Sequence, residues 1–97
     1  MATIAINVFV DPAREIHICQ PTKAEVSPGD IVIWTSNEPL LFFFPDESPV
    51  VEGRGPFANG QPATVKPKGS LTATKGFPVV TALSGVVRET EGDIIVT

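Results

Sequence analysis

Only one cysteine and one histidine, Cys19 and His17, occur in 97 residues, and there is no tyrosine. A single thiol excludes an intramolecular disulfide and leaves the redox compartment open, since a lone buried thiol persists anywhere. No run of like charge exceeds two residues, and the net charge is −4. A nucleic-acid surface needs a concentrated basic patch, so nucleic acid is not an expected partner. Lys66, Lys68 and Lys75 form a loose basic group without interleaved aromatics, which suits a solvated strand or turn. The longest apolar run, Leu40 to Phe44, is five residues. That falls far short of the ~20 needed to span a bilayer as a helix, so no membrane span is expected. No basic segment precedes the first apolar stretch, so no secretory signal is visible. The chain reads as cytoplasmic, or as periplasmic or secreted where a signal peptide has been removed.

What is abundant points one way. Twelve Val, eight Ile and nine Thr stand against four Leu. Side chains branched at Cβ lose rotamer freedom in a helix but pack well on a pleated surface. Ten Pro and eight Gly interrupt almost every window long enough for a helix. The expected class is all-β, as one domain over residues 1–97.

Ile4, Ile6, Val8 and Val10 alternate with Ala5, Asn7 and Phe9, the period of a half-buried strand. Asp11 to Arg14 is turn chemistry, and Glu15 to Gln20 is a second strand that Pro21 is expected to end. A short segment, Ala24 to Val26, leads to the turn Ser27-Pro28-Gly29-Asp30. Ile31 to Thr35 is apolar on both faces and suits a strand covered on both sides. Leu40 to Phe44 is the next strand candidate. From Pro45 to Pro62, four Pro and three Gly mark a long excursion with a short strand at Val50-Val51. Ala63 to Val65, Leu71 to Thr74 and Phe77 to Leu83 follow, with Pro78 forcing an edge or a kink. Ser84 to Thr90 reads as a connection or short strand, and Gly92 to Thr97 as the last strand. Seven or eight strands separated by turn signals indicate a sandwich or barrel.

The stretch Pro21-x-x-x-x-Val26-x-Pro28-Gly29-Asp30-x-Val32-x-Trp34-x-x-Asn37 resembles the cupredoxin pattern, as does the ending Glu91-Gly92-Asp93-Ile94-Ile95-Val96. The resemblance to cupredoxins such as plastocyanin implies a two-sheet Greek-key β-sandwich. It would also imply a copper held by one His after the Asn and by a Cys, His and Met before the final strand. Those ligands are missing: Glu38 to Phe42 contain no His, and Phe77 to Thr97 contain no Cys, His or Met. A blue-copper site needs two imidazoles, a thiolate and usually a weak axial thioether. No type 1 copper site and no other cofactor is therefore expected. Leu40, Leu41, Phe42, Ala82, Leu83, Val86 and Val87 occupy the corresponding stretches, so that end should be filled with hydrocarbon or present an apolar surface.

Two sets of residues remain as candidate sites. His17 and Cys19, two apart on a strand, project from one face about 7 Å apart, the geometry of an imidazole-activated thiol or half of a metal site. The plainer alternative is a small buried Cys and a surface His. No orienting acid or oxyanion-hole signature accompanies them, and Asp46 and Glu47 are not spaced as a general acid and base. The residues weigh against an enzyme without excluding one. The second set is apolar: Leu41, Phe42, Phe43 and Phe44 place large groups on both faces of one strand, and Phe57 sits alone in the Pro/Gly-rich loop. Either these cover a protein partner or a second copy, or the loop from Pro45 to Pro62 folds back over them. The expected function is a non-catalytic binding or assembly module, with a thiol- or metal-dependent protein as the alternative.

Overall fold

The alternating N-terminal segment forms strand β1 (Thr3–Asp11) in the computed structural model, which describes residues 2–11, 16–36, 38–67, 76–83 and 85–97. Among these residues follow β2 (Ile16–Val26), β3 (Ile31–Thr35), β4 (Leu41–Phe43), β5 (Phe57–Ala58), β6 (Pro62–Thr64), β7 (Gly76–Leu83) and β8 (Val86–Val96). Among the described residues no helix is long and apolar enough to cross a membrane. The strands join in the order β5-β4-β7-β8-β2-β1-β3-β6. Two of the pairs, β1 with β3 and β2 with β8, are parallel. Trp34 of β3 and Phe42 of β4 lie near opposite ends of that order, yet their ring centroids are 6.0 Å apart. The sheet must therefore curl until its two halves face one another, which makes a β-sandwich with the core between the layers.

The core follows the alternation. Ile6, Val8, Val26, Val32, Trp34, Val79, Ile94 and Val96 are all buried, each on the inward side of its strand. Strand β3 corrects one expectation. Val32 and Trp34 are buried but Ile31 and Ile33 are only half-buried, because the outer face of a two-layer sandwich meets water.

Pro21 does not end its strand. β2 runs on to Val26, and its register against β8 shifts between Ile18, opposite Glu91, and Lys23, opposite Asp93. Pro21 sits inside this bulge, where the ladder does not require its missing N–H. The expected break at Gly92 is also absent, since β8 continues from Val86 to Val96. Pro78 does mark an irregularity, a register shift between Pro78 and Val80. In the Pro/Gly-rich excursion the short strand is Phe57–Ala58; Val50 makes only an isolated bridge to Val65. The expected strand from Leu71 to Thr74, the residues Pro12 to Arg14, Asn37 and the lysines Lys68 and Lys75 lie outside the described residues.

The turn at Ser27 to Asp30 fixes where β1 and β3 begin. Pro28 presets φ, Gly29 takes φ +88°, and the Asp30 amide donates to the Ser27 carbonyl at 3.0 Å, as in a type II turn. The Asp30 carboxylate accepts from the Ser27 amide and from the Ala2 amide, both at 2.9 Å. Those two bonds, Ser27 first, hold its pKa below the ordinary value. A depressed folded pKa means that this stabilisation is present above the unfolded Asp value of about 3.9 and is lost as pH falls through the folded value. Asp30→Asn is accordingly expected to lower the urea midpoint at neutral pH. The gap from wild type should close as the solution is acidified through the Asp30 titration. A gap that stays constant with pH would show that the carboxylate charge has no part in the tie.

Candidate functional site

His17 and Cys19 do share the inward face of β2, as their spacing requires, and both are buried, with 1% and 2% of their surface exposed. The expectation of a surface His is corrected: β2 lies between β1 and β8, so its inward side chains enter the core. His17 Nδ1 is hydrogen-bonded to the buried Thr81 hydroxyl on β7, the strand on the other side of β8. Cys19 makes a side-chain hydrogen bond to Thr90, and the Thr90 hydroxyl donates to the Val79 carbonyl at 2.5 Å. Burial pushes the Cys19 pKa up, and Asp93 adds to the rise, against a smaller opposing effect of the Thr90 bond. A thiol held protonated and away from solvent is a poor nucleophile and a poor metal ligand. No cluster of three or more His, Cys, Asp or Glu able to hold a metal ion occurs among the described residues.

The apolar set divides. Phe42, Phe44 and Phe57 are at most 1% exposed and form one aromatic cluster with Trp34. Trp34 stacks on Phe42 and Phe57 at 6.0 and 5.8 Å and meets Phe44 edge-on at 5.7 Å. As interface candidates these three are corrected, because the loop supplies their cover. Its β5 pairs Phe57 with Phe42, and the Phe44 amide donates to the Arg54 carbonyl at 2.9 Å. Phe43 is half-buried, and Leu41 is 41% exposed.

Leu41 has apolar company. Cross-strand partners project from the same face of a sheet. Leu41 pairs with Ala58 on β5 and with Ala82 on β7, and Ala82 pairs with Val87 on β8. The outer face thus carries an apolar row across four strands, with Val87 62% exposed. Of the stretches expected to be filled with hydrocarbon, Leu40 and Phe42 became core while Val86 and Val87 became surface.

Beside this row lies an open groove of about 410 Å³, lined by Leu41, Phe43, Pro45, Arg54, Pro56 and Ala82 together with Phe44 and Gly55. Gly55 has φ +97°, and a Cβ there would meet the Phe42 carbonyl at 2.8 Å and the Phe43 Cβ at 3.0 Å. Only glycine lets the loop lie this close to β4. Arg54 Nη1 donates to the carbonyls of Pro45 and Asp46, each at 3.1 Å, which fixes the guanidinium at the groove rim. Arg54 escaped the sequence reading. Its signal was an isolated cation between two glycines, Gly53 and Gly55, in the excursion.

No family model matches this chain, and no curated protein matches it by sequence. Solved structures do match. A pseudoazurin from Sinorhizobium meliloti superposes with a TM-score of 0.61 at 15% identity, over 100% of this chain and 75% of that one. The fold of this domain is cupredoxin-like.

Proposed function

From this cupredoxin-like fold, we propose a non-catalytic binding or assembly module that has no type 1 copper site and associates with protein through an apolar outer face. The observation that carries the reading is the row Leu41–Ala82–Val87, in register on three neighbouring strands, with its two large members 41% and 62% exposed. Large apolar groups that lie next to one another on a sheet face mark interaction surfaces more often than scattered ones do. The missing copper ligands support the same reading: one His and one Cys share a strand, and Met1 is the only Met. Two side chains of that set, both buried in β2, fall short of the two imidazoles, thiolate and thioether such a site uses.

The test is sedimentation over a wide concentration range, with the partner taken to be a second copy. The wild-type chain is expected to self-associate. The double variant Leu41→Ser, Val87→Ser is expected to remain monomeric and still fold, with only a modest fall in thermal midpoint, since Val87 is mostly in solvent and Leu41 lies at the surface rather than in the core. A wild-type protein that stays monomeric throughout, or a double variant that associates equally well, would overturn association through this face.

A further inference from the structure

The geometry points to a ligand class for the groove beside that face: an apolar chain ending in a carboxylate, as in a free medium-chain fatty acid. The inference rests on reading the outer face of β4 and β7 as a binding face. It adds what that face would select. The argument starts from Arg54. Two of its five N–H groups, those on Nη1, are engaged by the carbonyls of Pro45 and Asp46. These bonds leave the Nε and Nη2 edge, the side-on fork that takes a carboxylate through two parallel hydrogen bonds. No carboxylate among the described residues forms an ion pair with Arg54. A guanidinium held in place by backbone carbonyls, with no carboxylate partner among the described residues, has the form of an anion receptor prepared in advance.

What the guanidinium overlooks is apolar. Leu41, Phe43 and Ala82 project from adjacent strands, and Pro45 and Pro56 close the sides. The groove's 410 Å³ falls within the range of small-ligand sites, which pair a mainly apolar lining with a few placed polar groups. Gly55 matters to its shape, for the groove wall beside Arg54 has no side chain and can have none. A hydrocarbon chain can lie along Leu41, Phe43 and Ala82 with its head group at Arg54. Because the whole chain carries −4, long-range attraction does not favour an anion. Selectivity for carboxylate has to come from the short-range fork.

The experiment is an NMR titration of the 15N-labelled full chain with hexanoate, octanoate and octanol, kept below micelle-forming concentrations. Amide shifts are expected at Leu41, Phe43, Arg54, Gly55 and Ala82. Octanoate should bind about tenfold more tightly than octanol, in keeping with a charge-assisted hydrogen bond. It should also bind about tenfold more tightly than hexanoate for its two added methylenes. Arg54→Gln is expected to erase the preference for octanoate over octanol, while Arg54→Lys, which keeps the charge but not the fork, retains part of it. Equal binding of octanol and octanoate by the wild type would overturn the carboxylate assignment. So would shifts that map away from the groove. No shift with any probe, in a protein whose association still depends on Leu41 and Val87, removes this ligand class and leaves the binding face standing. Failure of both experiments removes the face as well.

Discussion

Trp34→Ala is expected to destabilise the protein by about 3–5 kcal/mol, the range for removing a large buried aromatic side chain. The indole is 1% exposed and touches three phenylalanine rings, two stacked and one edge-on. Aromatic pairs of this kind contribute roughly 0.5–1.5 kcal/mol each beyond the area they bury. Against a total stability of about 5–15 kcal/mol for a domain, that loss is a large share. At about 4–8 °C of melting temperature per kcal/mol for a chain of this size, the midpoint should fall by tens of degrees. Circular dichroism melts provide the measurement. Trp34→Phe separates size from polarity, since Trp34 Nε1 is buried with no hydrogen-bond partner among the described residues. Phenylalanine loses ring area but also removes an unsatisfied donor, which by itself costs about 1–3 kcal/mol. Its net effect should therefore be well below that of alanine. Equal losses for the two variants, or an alanine variant that melts like wild type, would show that this cluster does not hold the layers together.

The second large effect is expected at Gly92. Its backbone conformation is open to any residue, so the constraint is space. A Cβ at position 92 would lie 2.6 Å from Cys19 Cβ, closer still to Sγ, and 3.3 Å from Thr90 Oγ1. The obstructing Cβ is fixed to the strand and cannot swing aside as the end of a flexible side chain can. Gly92→Ala is thus expected to destabilise by at least the roughly 1–3 kcal/mol of ordinary overpacking. Truncating Cys19 to alanine removes only Sγ and should rescue little. Cys19→Gly clears the space, and the double variant Cys19→Gly, Gly92→Ala should be more stable than the sum of the single effects by about 1–2 kcal/mol. Denaturant midpoints of the four proteins decide it. Strict additivity would mean that the two residues are not in contact.

Much of the architecture could be read where one face of a strand is buried and the other is not. β1 was legible from Ile4, Ile6 and Val8, and the turn before β3 from Pro28 and Gly29, because the chemistry there is local. Pro21 misled, since a bulge that accommodates a proline in mid-strand depends on the register of β8, more than sixty residues further along the chain. β5 was hidden in two residues whose pairing with Leu41 and Phe42 no periodicity can reveal. The candidate site divided along the same line. That His17 and Cys19 share a face is a local fact and could be foreseen. That this face is the interior is a fact of topology. The phenylalanine run could be seen but not sorted into core and surface, because its cover comes from a loop with no pattern of its own. Arg54 has meaning only once Gly55 brings the loop against β4.

The position of β8 has a consequence for how the molecule assembles. In the sheet it stands between β7 and β2, with a neighbour on each side, although it is the last of the eight described strands in sequence order. While β8 is unplaced, β7 and β2 each present an open row of backbone donors and acceptors, and the two halves of the sheet have no connecting ladder. Strand β2 can complete its pairing only with residues at the far end of the sequence. Closing so long a loop is entropically costly before any contact offsets it, which places the folding rate in the slow, millisecond-to-second class of sandwiches rich in non-local pairings. During synthesis the sheet cannot close until β8 has emerged, and until then those open edges are the surfaces most exposed to pairing with a stranger.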